Sequence, residues 1–304
     1  MPAPAIVRGE GSVSHEHEPE IACGETSAPL TGQTSPHESM PGARPLNTVP
    51  CYTFVTIDVP RATVSTSVSK INDRGQMVGG YDGSDGSHGF LMTNGLFATI
   101  DVPGSIETAV LGINNRRQLV GAYTDSVNRR HGFLWDRDGV TRIDVPGSTG
   151  TLVRGINNHG QMVGNYFDAN GRSHGFLLNH GIFTTIDAPA GLDTTLSGIN
   201  NHGQMVGFAG HGFLWDNGVF TTIEAPGALS TTAFDINDHG QIVGFYDLGL
   251  RGRRSFVLSE GVFTTIDVPD AAETGALGIN NRRQIVGGYT DEDERSHGFR
   301  ATPV

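Results

Sequence analysis

Five histidines recur in the motif H-G-F, at His88, His131, His174, His211 and His297. The first four each stand 13 residues before an acidic residue, Asp101, Asp144, Asp187 and Glu224, and Arg254 stands at the same distance before Asp267. An imidazole beside a carboxylate can relay a proton or help to hold a metal. Sites that do chemistry are usually asymmetric, however, and this pair repeats along the chain. It therefore reads as an internal brace that gives each half-buried polar group a partner.

Other residues suggest ligand chemistry. Tyr123/Asp125, Tyr166/Asp168 and Tyr289/Asp291 mark acidic loops that could hold calcium, but none has the D-x-[DN]-x-[DN]-G spacing of a dedicated loop, so they read as solvated turns. Glu107, Asp193 and Glu273 occupy equivalent positions in alternate repeats and could hold a divalent cation, calcium being the candidate. Arg74, Arg116, His159, His202, His239 and Arg282 recur three residues after an isoleucine in all six repeats. A ring of such side chains would focus positive potential and attract anions. His15-Glu16-His17-Glu18 could chelate a metal weakly. No G-x-S-x-G, H-E-x-x-H, P-loop or G-x-G-x-x-G context is present.

The elements that must position these residues follow from the repeat itself. Segments of the type F-T-T-I-D-x-P begin six times, and their acidic residues Asp58, Asp101, Asp144, Asp187, Glu224 and Asp267 are spaced 43, 43, 43, 37 and 43 apart. Self-similarity at this period means a stacked or circular array. Each unit holds four short stretches rich in Val, Ile, Phe and Thr, separated by Gly, Asn and Asp, as in Thr151–Asn157, Gln161–Tyr166, His174–Leu178 and Ile182–Asp187. Four short antiparallel strands per repeat describe a propeller blade.

The last repeat ends at HGFRATPV without its F-T-T-I-D strand, and a spare copy, YTFVTIDVP, precedes the first. The expected fold is therefore an all-β six-bladed β-propeller over residues 51–304, closed by its N-terminal strand and preceded by a disordered tail over 1–50. An open β-solenoid is the runner-up. The strand carrying I-N-N lines the axis and the T-I-D strand is outermost. The V-P-G links lie on an upper face, and the I-N-N turns lie on a lower one. Trp135 and Trp215 are expected to pack between blades. Lys70 and Asp235, where four repeats have Gly, are expected to pair across the bore.

The pattern G-I-N-N-x-G-Q-[IMV]-V-G-x-Y…H-G-F-L…F-T-T-I-D-x-P-G, clearest over Gly155–Gly191, resembles the HAF family of bacterial probable extracellular repeat proteins. The resemblance covers residues 52–304. It implies bacterial origin and export, and brings with it no activity, cofactor or substrate.

Composition narrows function. The net charge of −12 argues against nucleic acid as a partner. No apolar run is long enough for a transmembrane helix, and the first residues lack the apolar core of a signal peptide. Cys23 and Cys51 either pair, as in an exported protein, or remain tail thiols. The reading is a monomeric, non-enzymatic binding scaffold for a glycan, a polyanion or a protein partner, with no cofactor required. The alternative is a hydrolase or lyase using a cation at the upper mouth.

Overall fold

A computed structural model describes residues 20–26 and 50–304. The protein is all-β in a β-propeller arrangement. Repeats two to five each form a separate antiparallel four-stranded sheet. The innermost strands of these sheets are Glu107–Ile113, Gly150–Ile156, Thr195–Ile199 and Ser230–Ile236.

Six separate sheets were expected, and the remaining strands depart from that. They form one nine-stranded sheet. Its first part holds the three strands of repeat six, completed by Cys51–Ile57, which pairs antiparallel with Ser296–Pro303. Its second part is the four strands of repeat one, beginning with Ser65–Ile71. A single parallel bridge, Ser296 to Ser65, fuses the two parts.

The ninth strand corrects the reading of residues 1–50 as a disordered tail. Glu20–Cys23 pairs with Cys51–Ile57, and Cys23 lies opposite Cys51 in a disulfide. The segment then crosses to repeat five, where Thr265 N donates to Glu25 O and Thr26 bridges Thr264. The remainder of that tail, including His15-Glu16-His17-Glu18, lies outside the described residues.

Apolar clusters between neighbouring repeats form the core. The H-G-F phenylalanines Phe90, Phe133, Phe176 and Phe299 are fully buried, as is Phe256 at the same position of the fifth copy, and Phe213 is buried too. Phe133 packs with Val110 and Ile113 of its own repeat and with Val78, Leu91 and Ile100 of the preceding one. Each such side chain contributes about 2–3 kcal/mol through burial. Trp135 and Trp215 pack at the edges of clusters that span adjacent repeats, as expected.

The I-N-N turns close a circuit about the axis. The Nδ2 of Asn72, Asn114, Asn157, Asn200 and Asn237 donates in each case to the backbone oxygen of the next asparagine, and Asn280 returns to Asn72. This return removes the open solenoid. Among the described residues no helix is long and apolar enough to cross a membrane.

Candidate ligand-binding rim and axial channel

The axis is best described from the centre outward. Each asparagine of the circuit also donates to the glutamine four residues on, and its Oδ1 accepts the N–H groups two and four residues ahead, as Asn157 does with Gln161, His159 and Gln161 again. These four bonds use the whole capacity of a primary amide. A second circuit runs beside the first. The backbone N–H of Asp73, Asn115, Asn158, Asn201, Asp238 and Asn281 each donates to the side chain of the next residue in that series, at 2.8–2.9 Å. Together they line an axial cavity of about 80 Å³. Sequence reasoning read these residues only as turns. The visible signal was an Asn and a Gln four apart in every copy, where ordinary turns tolerate substitution.

One layer above, Lys70 and Asp235 meet at 2.9 Å, as expected. Lys70 also donates to Phe234 O, and Asp235 accepts from Ile279 N. Burial lowers the Lys70 pKa and raises that of Asp235, each opposed by the other's charge. Glycine fills this layer elsewhere because the backbones converge: a Cβ on Gly198 would lie 2.7 Å from Asp235 Oδ1. The ion pair and the glycines fill this layer.

The lower rim carries the sequence-predicted basic residues. Arg74, Arg116, His159, His202, His239 and Arg282 are all exposed. Their backbone N–H groups are clamped by the asparagine circuit, so their side chains project from a rigid base. Among the described residues none of the six forms an ion pair, although Asp238 lies within electrostatic reach of His202.

Arg117 and Arg283 extend the rim. They hold φ of 62° and 61°, at a turn position where the other four repeats have Gly75, Gly160, Gly203 and Gly240. A side chain in this left-handed region costs about 1 kcal/mol relative to glycine. Repeats six, one and two thus present five arginines, and repeats three, four and five present the three histidines.

The upper mouth carries the three acidic residues considered for a cation. Glu107, Asp193 and Glu273 are exposed, and no three His, Cys, Asp or Glu side chains gather to hold a metal among the described residues. Asp193 instead accepts the N–H of Ser173. Glu107 and Glu273 open the innermost strands of repeats two and six, and Asp193 lies just before that of repeat four.

At the outer edge every brace forms. His88, His131, His174, His297 and Arg254 lie 2.7–3.0 Å from Asp101, Asp144, Asp187, Asp58 and Asp267, and His211 lies 3.2 Å from Glu224. Four of the histidines meet a second carboxylate that the sequence reading had not joined to them: Asp85, Asp125, Asp168 or Asp291. In the three loops considered for calcium, Oδ1 of Asp125, Asp168 or Asp291 accepts loop N–H groups while Oδ2 faces the histidine. Hydrogen bonds from the N–H of Arg129, Arg172 and Arg295 hold these carboxyls below the usual range. Their oxygens are already engaged.

No protein-family model and no curated protein matches the chain. Among solved structures, the Aleuria aurantia lectin in complex with Fucα1-6GlcNAc aligns with a TM-score of 0.52 at 10% identity, covering 78% of this chain and 91% of the lectin. Virginiamycin B lyase from Staphylococcus aureus gives 0.48 at 8% identity, covering 83% and 100%. The β-propeller domain of the Trilobed protease from Pyrococcus furiosus gives 0.48 at 10% identity, covering 83% and 90%. The lectin alignment supports the propeller fold alone.

Proposed function

We propose that the protein is a non-enzymatic binding scaffold whose lower rim holds an acidic glycan or similar polyanion. The observation that carries this reading is the pair Arg117 and Arg283. Both accept a left-handed backbone to place a second cation beside Arg116 and Arg282, where four other repeats use glycine. Unfavourable backbone geometry retained at a surface turn points to a use for the side chain. The surrounding protein has a net charge of −12, so this rim opposes the overall field. The Aleuria lectin holds a fucosylated glycan on the same fold, and the charge here favours an acidic one.

In this reading the propeller has six blades. The nine-stranded sheet counts as two of them, joined by one bridge and flanked by the extra strand Glu20–Cys23. The sixfold asparagine circuit supports that count. Membership of the HAF family and export remain part of the proposal, supported by the repeat pattern and by a disulfide suited to an oxidising compartment.

Titration of a sulfated oligosaccharide into wild type and into Arg116→Ala/Arg282→Ala tests the rim. Wild type binds and the variant binds at least about tenfold more weakly, a loss of about 1.4 kcal/mol. Arg117→Gly/Arg283→Gly also binds more weakly, yet unfolds at higher urea. Equal binding by all three proteins would overturn the assignment.

A further inference from the structure

A different cleft, on the upper face where repeat two crosses to repeat three, breaks the repeat pattern in its own way. It encloses about 210 Å³, and its lining includes Arg129, Arg130, Arg142, Ser148, Thr149 and Gly150. At about 30 Å³ per water, this is the space of several water molecules. It suits one sugar ring or a substituent reaching in from one.

Arg142 replaces a residue that every other repeat shares, and Arg130 replaces one that three of them share. The position two before the brace carboxylate is threonine in every other copy: Thr56, Thr99, Thr185, Thr222 and Thr265. In four of those copies the threonine hydroxyl hydrogen-bonds with a tyrosine hydroxyl, at 2.9–3.3 Å, through Tyr289, Tyr81, Tyr166 and Tyr246. Repeat two has Arg142 there, and Tyr123 forgoes that bond. The position before the brace residue is serine at Ser87, Ser173 and Ser296, glycine at Gly210, and arginine at Arg130 and Arg253; only repeat two combines this arginine with Arg142.

The local charge is not neutralised from within. The neighbouring carboxylates are already taken. His131 lies 3.0 Å from both Asp125 and Asp144, and Asp144 also accepts from Arg142 Nε. Among the described residues Arg129 and Arg130 have no carboxylate within ion-pair distance. On the innermost strand of repeat three, Arg154 is hydrogen-bonded through Nε to Asn165 Oδ1 at 2.9 Å. Burial, with a smaller contribution from Arg130, lowers its pKa, so the two arginines feel each other. Three guanidinium groups, Arg129, Arg130 and Arg142, therefore line a cleft beside which both carboxylates are in use, and Arg154 lies within electrostatic reach of Arg130. Guanidinium forks match the geometry of sulfate and carboxylate oxygens.

We propose that this cleft binds the anionic substituent of a single sugar residue, a sulfate or a carboxylate, independently of the lower rim. The anion meets Arg130 and Arg142, and Ser148 and Thr149 supply hydroxyls for the ring.

The test uses glucosamine 6-sulfate, glucuronate, inorganic sulfate and neutral glucose as probes, followed by ligand-observed NMR and calorimetry. The key variant is Arg130→Ser/Arg142→Thr, which installs the serine of three other repeats and the threonine of all five, and should melt no lower than wild type. Either charged sugar binds wild type in the millimolar range, glucose does not, and the variant binds at least tenfold more weakly. The rim variant Arg116→Ala/Arg282→Ala binds these probes as wild type does, which separates this site from the rim. Undiminished binding by the cleft variant, or no binding by either charged sugar, overturns the proposal. Inorganic sulfate binding as tightly as the sulfated sugar overturns its sugar part.

Discussion

At the scale of single residues, the histidine–carboxylate pairs show what a sequence can reveal and where it stops. A constant spacing of 13 across a tight hairpin fixes cross-strand neighbours, so the partners of the first four histidines were readable, and ring closure by the N-terminal strand supplied Asp58 for His297. The second carboxylate was not, because it comes from a loop whose path depends on tertiary packing. The consequence is a dependence of stability on pH. Burial pushes the His88 and His297 imidazoles down. The carboxylates of Asp101 and Asp85, and of Asp58 and Asp291, outweigh that, and both imidazoles end above the ordinary histidine value. Stabilisation from a raised folded-state value is fully present below the unfolded value of about 6.5, and it is lost as pH rises through the folded one. The protein should therefore resist urea better at pH 5.5 than at pH 8. His297→Gln should flatten that difference, and His174→Ala should cost about 1–3 kcal/mol at pH 7. The partners Asp58 and Asp101 are about two-fifths exposed, which keeps the pH effect modest through solvent screening. A His297→Gln variant with an unchanged pH profile would remove the brace as its source.

Among the strands, the decisive one is Cys51–Ile57. It was legible because the spare T-I-D copy at one end matched the missing one at the other. The strand outside it, Glu20–Cys23, was not, because its residues E-I-A-C carry no trace of the repeat and sit in a segment rich in Pro, Gly and Ser. What places it is the disulfide together with an open edge on Cys51–Ile57, and an unpaired edge recruits a partner wherever chain is available. Deletions separate the two contributions. Removing residues 1–62 takes away the strand that completes repeat six, bares the edge of Ser296–Pro303 and should lower Tm sharply with aggregation. Removing residues 1–48 keeps closure but loses the outer strand, the disulfide and the bridge to Thr264, so the fall in Tm should be smaller but measurable. A disulfide closing a loop of this size contributes roughly 3 kcal/mol in the chain-entropy account. Treating the full-length protein with reductant should reproduce most of the smaller shift. Equal melting of the two truncated forms would show that Cys51–Ile57 does not close the ring.

Across the whole molecule, the repeat supplies a rigid frame and the departures from it supply the chemistry. The asparagine circuits hold six nearly equivalent turns about one axis, so a residue at one position in each copy becomes a ring. The basic positions of that ring were legible from the sequence. So was their doubling by Arg117 and Arg283; that the six are all exposed, and that the doubling comes at a backbone cost, emerged only from the fold. The ring is also divided: Arg74, Arg116, Arg117, Arg282 and Arg283 lie on one side and His159, His202 and His239 on the other. The arginine side carries the guanidinium forks that match sulfate and carboxylate oxygens. A polyanion lying across the rim should therefore be held chiefly by the arginines, and its binding should weaken as added salt screens exposed charges. Arg74→Ala/Arg116→Ala/Arg282→Ala should weaken binding at least about tenfold, a loss of about 1.4 kcal/mol. His159→Gln/His202→Gln/His239→Gln, measured at pH 8, should change it by less than about threefold. If the arginine variant binds as wild type does, or the histidine variant loses as much binding, the two sides of the rim do not differ in the way their side chains require.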